Sequence, residues 1–281
     1  MNIEVLDRRM LLLGGAALAG ALMFGSTAMA APFASRRIAV TVRGTGRDVI
    51  LIAGLASGPG LWNGVMAALP GYRWHLVHVR GFAGLAADAN VSGPLIQPLA
   101  DEIARYISAA GLRRPAVVGH SMGGTLAMML GLKGVAGRLM VVDMLPDGAA
   151  MVGGTARGMG YLADQLSQYF TGTKAGRSYL AQILAQAPGA RGSDPDVIAN
   201  ALRDLANIDL GPQLGRISVP MDVVYATGSD AAQAAQIGRN FRAAYAAKKD
   251  LTLTPIGPGG HVIMADQPVR FSAAVKQFLS S

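Results

Sequence analysis

Ser121 lies in a stretch whose residue types could perform nucleophilic chemistry. It is the central residue of GHSMG (119–123), which follows a short apolar run and precedes a helix-type pattern. A sharp turn from a strand into a helix projects a serine hydroxyl above the edge of a sheet, and the flanking glycines let the two elements approach closely. The pattern therefore predicts that Ser121 is a nucleophile. The alternative is a serine that caps the helix, next to glycines that serve only packing.

A serine hydroxyl needs a base that takes its proton, and the imidazole of histidine suits this task at neutral pH. The chain has four histidines. His75 and His78 lie inside a strand-type run, and His120 is expected to point to the opposite side of the turn from Ser121. His261 follows the last strand-type run, in a glycine-rich loop at the edge where Ser121 is expected. We predict that His261 is the base; the alternative is a loop histidine without a special role.

Two aspartates could orient the imidazole and stabilise its charged form. Asp230 ends the strand-type run 219–230, and Asp143 lies in the run 138–146 that follows the Ser121 helix. Both are expected at the same edge of the sheet. Asp230 is the preferred partner of His261 and Asp143 is the alternative acid. For either residue, a loop or helix-capping role is the competing interpretation.

The oxyanion of an acyl-transfer reaction needs backbone N–H donors. Met122 begins the helix after Ser121, where free N–H groups and positive potential are expected. The second donor should come from the loop AGLASGPGLW (53–62), which follows a buried strand-type run. We predict that the N–H groups of Leu55 and Met122 form the oxyanion hole. An ordinary glycine-rich turn is the alternative for the loop.

Strand-type and helix-type runs alternate along most of the chain. This alternation predicts an α/β fold with a mostly parallel sheet. It stops between about 146 and 212, where a helix-type, Gly/Ala/Gln-rich segment predicts an inserted helical cap. The predicted strands are 36–44, 48–54, 72–82, 115–119, 138–146, 219–230 and 251–257, and the predicted helices outside the cap are 98–111, 122–134, 231–247 and 267–279.

Residues 1–30 are typical of an export signal. Arg8-Arg9 precedes an apolar run of about fifteen residues that ends at the small-x-small pattern Ala28-Met29-Ala30. The arginine pair resembles a twin-arginine signal, with Asp7 where Ser or Thr is usual. We expect cleavage near Ala30, a folded domain over 31–281, and a periplasmic or secreted protein without stable membrane insertion. A buried N-terminal helix and a retained membrane anchor are the alternatives.

Composition narrows the classes of partner. Of the 281 residues, 51% are hydrophobic and 15% are charged, which excludes a disordered polar chain. The formal net charge of +8 comes from scattered basic pairs without interleaved aromatic residues, so nucleic-acid binding is not expected. The absence of cysteine excludes disulfides and thiolate metal ligands. We predict a small-molecule substrate and no cofactor or metal, and the sequence indicates no oligomeric state.

Taken together, these motifs resemble those of the α/β-hydrolase superfamily, over nearly all of residues 36–281. The resemblance rests on AGLASGPGLW (53–62), RGFAG (80–84), GHSMGG (119–124), GSD (228–230) and GGHVIMADQP (259–268), in the order Ser, Asp, His. It implies an eight-stranded, mostly parallel sheet, a helical cap and hydrolysis through an acyl-enzyme. One residue departs from the family pattern: Ala53 stands where a histidine is usual before the glycine of the oxyanion loop. The rigidity of that loop is therefore in question.

The expected activity is hydrolysis of a carboxylic ester with a small to medium, largely apolar substrate. Met144, Met151, Met159 and Tyr161 could line an adaptable pocket, or could simply pack the cap. One alternative is hydrolysis of an amide, peptide or lactone by the same three residues. The other is a ligand receptor with the same fold and little turnover.

Overall fold

A seven-stranded sheet forms the centre of the described chain. The computed structural model describes residues 33–152, 173, 175 and 190–281. The strand order is β1-β3-β2-β4-β5-β6-β7; β1 is antiparallel to β3, and every other neighbouring pair is parallel. The strands are β1 (Ile38–Arg43), β2 (Arg47–Ile52), β3 (Tyr72–Val79), β4 (Ala116–His120), β5 (Arg138–Val142), β6 (Met221–Ala226) and β7 (Leu251–Ile256).

The eighth strand implied by the family resemblance is not found among the described residues. Each of the seven strands lies within, or within a residue of, one of the seven strand-type runs of the sequence. Before β1 the described chain turns rather than extends, because the Ser35 hydroxyl oxygen accepts hydrogen bonds from the N–H groups of Arg37 and Ile38. The expectation of eight strands is therefore wrong for this part of the chain, and the seven runs are confirmed.

Both faces of the sheet are buried. Successive residues of a strand point to opposite faces. Accordingly, Ile50 and Ile52 of β2 belong to one hydrophobic core, and Val49 and Leu51 belong to the other. Burial on both faces explains why β2 reads as a continuous apolar run rather than an alternating one.

Helices cover the two faces of the sheet. The described helices are α1 (Asn63–Ala68), α2 (Ile96–Ala109), α3 (Met122–Leu132), α4 (Pro195–Ala206), α5 (Ala231–Ala244), α6 (Ile263–Asp266) and α7 (Pro268–Ser280). Residues of α2, α3, α4 and α5 share one core, and residues of α1, α6 and α7 share the other. With both faces covered, the loops at the carboxyl ends of the parallel strands are left to form a site.

Two predicted regions lie wholly or mostly outside the described residues. The predicted export signal (1–30) is entirely outside them, and of the predicted cap (146–212) only residues 146–152, 173, 175 and 190–212 are described. Both remain predictions. Among the helices that the structure describes, none has the length and apolarity needed to cross a membrane.

The β4–α3 contact leaves no room for side chains at two glycines. A Cβ atom at Gly119 would lie 2.0 Å from the carbonyl oxygen of Gly123. A Cβ atom at Gly123 would lie 2.2 Å from the carbonyl oxygen of Ile52, on the neighbouring strand. Both clashes are with backbone, which cannot rotate away as a flexible side chain can. These glycines therefore allow strand and helix to meet at the turn that carries Ser121.

We predict that Gly123→Ala lowers the free energy of unfolding by at least about 2 kcal/mol, because the added methyl group collides with backbone. Gly64→Ala is the matched control: Gly64 lies in α1, and a Cβ atom there has no neighbour within 4 Å. The control should be neutral or stabilising by up to about 1 kcal/mol, since alanine favours helix. Urea denaturation of both variants measures the difference. Equal unfolding midpoints for the two variants would contradict this account of the turn.

Candidate active site

Ser121 occupies a strained turn between β4 and α3. Its backbone has φ 54° and ψ −124°, a conformation that costs a residue with a Cβ atom about 1–3 kcal/mol. The backbone N–H donates to the carbonyl oxygen of Val142 at 2.9 Å, which ties the turn to β5. Although Ser121 stands at the N-cap position of α3, its side chain makes no capping hydrogen bond. The Ser121 hydroxyl is therefore not used to cap α3, and its role as a nucleophile stays a prediction.

Asp143 pairs with His261. The Nδ1–H of His261 donates to Oδ2 of Asp143 at 2.7 Å. The other carboxylate oxygen accepts the backbone N–H of Ala226, at the end of β6, at 2.9 Å. The Asp143 side chain is 7% exposed and that of His261 is 43% exposed. A buried carboxylate thus fixes the orientation of a histidine whose ring reaches solvent, and Nε2 is left to exchange protons.

The prediction that Asp230 partners His261 is wrong for this structure. Asp230 is the N-cap of α5, and its Oδ1 accepts the backbone N–H of Gln233 at 2.9 Å. After β6 the chain turns at Gly228, with φ 75°, and this turn carries Asp230 to the start of the helix. Asp143, the alternative acid, holds the position instead.

The two predicted oxyanion donors lie beside the serine. Leu55 follows β2, and Met122 is the first residue of α3. A Cβ atom at Gly54 would lie 2.9 Å from Cβ of Ser121, so the loop before Leu55 packs directly on the serine. Within residues 33–152 and 190–281, neither the Leu55 nor the Met122 N–H has a hydrogen-bond acceptor. This placement fits the expected hole.

The hydroxyl of Ser121 makes no hydrogen bond to His261 within the described part of the chain. The ring of His120, the residue before Ser121, lies 4.7 Å from the ring of His261, centroid to centroid, so the loop of His261 packs against the end of β4. Nucleophile–base contacts are often long in free enzymes and tighten when substrate binds. The proton transfer between Ser121 and His261 therefore belongs to the proposed mechanism below.

His120 holds the loop that carries His261, a role that the sequence did not predict. Its side chain is buried, and its Nε2–H donates to the backbone carbonyl of His261 at 2.8 Å. A second brace comes from Asp266, whose Oδ2 accepts the N–H of Gly260 at 2.7 Å. Burial, together with the neighbouring charge of His261, lowers the pKa of His120 to about 4. His120 is therefore neutral at pH 7 and acts as a fixed donor.

The two remaining histidines pack away from Ser121. His75 Nδ1 and Nε2 are hydrogen bonded to the hydroxyl of Tyr106 at 2.6 Å and to the carboxylate of Asp48 at 2.8 Å. His78 Nε2 is bonded to the carbonyl of Phe82 at 2.8 Å. Burial lowers the pKa of His78. Neither is placed to act on Ser121.

A cavity of about 310 Å³ adjoins Asp143 and His261. Its apolar side chains are those of Leu145, Met151, Ile237 and Phe241, and Asn240 adds an amide. Met144 is not among the lining residues: it is buried, and its backbone carbonyl accepts the hydroxyl of Tyr245. Met159 and Tyr161 lie outside the described residues. Of the four predicted pocket residues, Met151 lines this cavity.

A second cavity, of about 400 Å³, lies at the opposite edge of the sheet, where β2 and β5 begin. It is lined by Arg47, Arg113, Arg114 and Arg138. Arg47 donates to the backbone carbonyl of Leu279, and Arg138 donates to the hydroxyl of Ser281, so two of the four arginines bind the end of the C-terminal helix. Among the described residues, no group of three or more metal-ligating side chains was found.

Comparison with known proteins identifies the family of the chain. The sequence profile of the alpha/beta hydrolase family matches residues 49–274. The chain belongs to the alpha/beta hydrolase family. The matched range contains Ser121, Asp143 and His261, so the family assignment covers all three side chains of the site.

Several solved structures share this fold. A hydrolase from Pseudomonas aeruginosa PA01 is 21% identical with a TM-score of 0.68, and the alignment covers 87% of this chain and 94% of that one. An esterase from Exiguobacterium antarcticum is 18% identical, with a TM-score of 0.68 and coverage of 87% and 96%. An enol-lactonase from Burkholderia xenovorans LB400 is 19% identical, with a TM-score of 0.62 and the same coverage. At these identities the likeness establishes the fold alone.

A curated relative matches part of the chain. RutD from Azorhizobium caulinodans, whose name provisionally assigns it as a carbamate hydrolase, is 34% identical over 92 residues, which are 32% of this chain. The match spans about a third (34%) of that relative's length. This partial match shows a local likeness to that relative and does not assign its activity to this chain.

We predict that Asp143→Asn lowers the kcat of this hydrolase by about 10²- to 10⁴-fold, because the amide no longer fixes the tautomer of His261 or stabilises its charged form. Asp230→Asn is the matched control and should retain kcat within about twofold, since asparagine caps a helix as well as aspartate does. Turnover of a chromogenic ester by both variants gives the comparison. A crippled Asp230→Asn beside an active Asp143→Asn would reverse the assignment of the acid.

We predict that His120 makes the fold acid-sensitive between pH 6.5 and 4. The pKa of His120 in the folded chain is about 4, below the usual 6.5, so the unfolded chain binds the proton first. The neutral His120 therefore contributes fully to the free energy of unfolding above pH 6.5. As the pH falls toward 4 this contribution is lost, and the free energy of unfolding decreases by about 3 kcal/mol. His120→Gln, which keeps an N–H donor but does not titrate, should show a correspondingly smaller loss. Urea denaturation at pH 7, 5.5 and 4 tests this, and parallel pH profiles for variant and wild type would disprove it.

Proposed function

We propose that this alpha/beta hydrolase is a serine hydrolase that cleaves a carboxylic ester of a small to medium, largely apolar substrate through an acyl-enzyme. The observation that carries the proposal is the hydrogen bond between His261 and the buried Asp143, at the same sheet edge as the strained Ser121. A histidine oriented by a carboxylate, next to a serine on a strand–helix turn, is an arrangement suited to nucleophilic catalysis.

In the proposed first step, Nε2 of His261 removes the proton of the Ser121 hydroxyl while Oγ attacks the ester carbonyl. The carbonyl π electrons move to oxygen, and the N–H groups of Leu55 and Met122 stabilise that oxyanion. Asp143 accepts the Nδ1–H of His261 and so stabilises the imidazolium. When the tetrahedral intermediate collapses, the imidazolium gives its proton to the departing alkoxide.

In the second step, water replaces the alcohol. His261 takes one proton from the water while the water oxygen attacks the acyl-enzyme carbonyl. The N–H groups of Leu55 and Met122 stabilise the second oxyanion. Collapse breaks the bond between the acyl carbon and Ser121 Oγ, and His261 returns the proton to the serine. The products are a carboxylic acid and an alcohol, and the enzyme is regenerated.

The cavity beside His261 supports an uncharged substrate group. Leu145, Met151, Ile237 and Phe241 present apolar surface, and a volume of about 310 Å³ is at the small end of ligand pockets. Asn240 offers a single amide that could bind a polar atom of the substrate. Apart from Asp143 and His261, which are paired with each other, the cavity offers no charged side chain among the described residues, so an apolar group is favoured.

Hydrolysis of a lactone or a carbamate-type amide by the same residues is the second candidate. The observations in its favour are the neighbours: one solved structure is named an enol-lactonase, and the curated relative is named a carbamate hydrolase. A receptor with little turnover is the third interpretation, because Ala53 departs from the residue that is usual in the oxyanion loop.

We predict that a fluorophosphonate probe labels the wild-type chain and that Ser121→Ala abolishes labelling, because the probe reacts with an activated serine. In parallel, p-nitrophenyl esters of increasing acyl length, a lactone and an aminoacyl-anilide are compared by kcat/KM. We expect the highest kcat/KM for an ester. A folded wild type that is neither labelled nor active would favour the receptor, and a preference for the lactone or anilide would favour the second candidate.

A further inference from the structure

We propose that Ser193 is a positioning residue that fixes the oxyanion loop, defined here as residues 53–58. The inference rests on the proposed function, because it concerns the donor Leu55 of that reaction. Ser193 lies far from this loop in sequence, just before α4, in the part of the predicted cap (146–212) where the described chain resumes at residue 190. It contacts neither Ser121 nor His261 by a hydrogen bond among the described residues.

The Ser193 hydroxyl joins two loops at the edge of the sheet. It donates to the backbone carbonyl of Ala56 at 2.9 Å, and its oxygen accepts the backbone N–H of Ala83 at 2.9 Å. The residue is 8% exposed, so water cannot readily replace either bond. Removing the hydroxyl would leave a carbonyl and an N–H without their partner, which is costly inside a protein.

Both residues that Ser193 binds have strained backbones. Ala56 has φ 57° and Ala83 has φ 46°, in the left-handed region that residues with a Cβ atom rarely adopt. Strain of this kind persists only where surrounding contacts hold it. The two Ser193 hydrogen bonds are contacts of that kind, one on each strained residue.

The strain at Ala56 bears directly on Leu55. The N–H of Ser57 donates to the carbonyl of Gly54 at 3.2 Å, so Leu55 and Ala56 are the two central residues of a turn. A positive φ at the second central position is where turns ordinarily use glycine. Without the bond to Ser193, Ala56 is free to relax toward negative φ, and that rotation reorients the two peptide groups that flank Ala56. The turn closed by the Ser57–Gly54 hydrogen bond then changes shape, and the Gly54–Leu55 peptide, which carries the N–H of Leu55, shifts with it.

Ser193 is itself held in place. The N–H of Asp194 donates to the carbonyl of Gly81 at 2.7 Å, and the N–H of Gly84 donates to the carbonyl of Gly192 at 3.2 Å. These backbone bonds flank Ser193 on both sides and fasten its segment to the loop after β3. The position of the Ser193 hydroxyl is therefore fixed by these backbone hydrogen bonds. It restrains the oxyanion loop, which has Ala53 in place of the usual histidine.

The experiment compares Ser193→Ala and Ser193→Cys with the wild type, with Ser193→Thr as the conservative variant that keeps the hydroxyl. Cysteine preserves most of the side-chain volume but is a weak donor, so it serves if the alanine variant does not fold.

Ser280→Ala is the matched control, since the Ser280 hydroxyl donates to the Lys276 carbonyl on α7. Active sites are counted by fluorophosphonate titration, and kcat and KM are measured per titrated site with a p-nitrophenyl ester. The inhibition constant of a trifluoromethyl ketone is measured as well, because its adduct with a serine places an oxyanion in the hole.

We expect kcat per site to fall about 10- to 100-fold in the alanine and cysteine variants, with KM within twofold, because a displaced donor acts mainly on the transition state. The trifluoromethyl ketone should bind at least about tenfold more weakly. Ser193→Thr should restore both values to within about threefold of the wild type, and Ser280→Ala should match it.

Two results would overturn the role of Ser193 while leaving the proposed function intact: an unchanged kcat per site in both variants, or a raised KM with kcat and ketone affinity unchanged. Absence of labelling and turnover in the wild type is a different result. It would overturn the proposed function itself, and the role of Ser193 with it.

Discussion

The approach of β4 to α3 is the constraint on which the site depends. Gly119 and Gly123 face each other and the end of β2 at distances that exclude a single methyl group. Because strand and helix are so close, the residue between them cannot adopt an ordinary backbone conformation, and Ser121 is held at a positive φ. The same approach brings Gly54, and with it the loop after β2, against the serine. One packing contact therefore sets the position of the serine hydroxyl and of the loop that carries Leu55.

Electrostatics at this edge depends on which groups are buried and which reach water. Asp143 is buried, but each of its oxygens accepts a hydrogen bond, one from His261 and one from the backbone of β6. Burial of a carboxylate is tolerable only when it is paired in this way. His120, which is buried and neutral at pH 7, contacts the same loop as a donor without adding positive charge beside His261. His120 and His261, whose rings are in contact, thus differ in role because one is buried and the other reaches solvent.

Much of this arrangement could be predicted from the sequence, because the strands and the turn at Ser121 depend on residues that are close together in the chain. The seven apolar runs locate the seven strands, and the glycines around Ser121 locate the turn. Asp143 and Asp230 both follow neighbouring strands, so composition and order could not choose between them. The choice depends on the turn at Gly228, which sends Asp230 to the start of α5.

Long-range hydrogen bonds had no signal in the sequence at all. Ser193 is 137 residues from Ala56 and 110 from Ala83, and a serine before a helix reads locally as loop or cap. His120 was expected to face away from Ser121, and nothing near it in sequence indicated a carbonyl 141 residues later. The family resemblance implied eight strands, whereas the described chain has seven, and its residues 33–37, which precede β1, add no strand.

Six described residues other than glycine have a positive φ, and four of them, Ala56, Ala83, Ser121 and Asp143, lie at the edge of the sheet that carries the candidate chemistry. Each costs about 1–3 kcal/mol, so together they amount to a sizeable fraction of the 5–15 kcal/mol by which a domain is ordinarily stable. On heating, these loops are the part of the molecule with most to gain from relaxing, whereas the buried sheet has nothing comparable to release. Under the proposed function, activity should accordingly be lost at a lower temperature than global melting. Selection for heat tolerance would tend to relax the same loops that the proposed reaction needs.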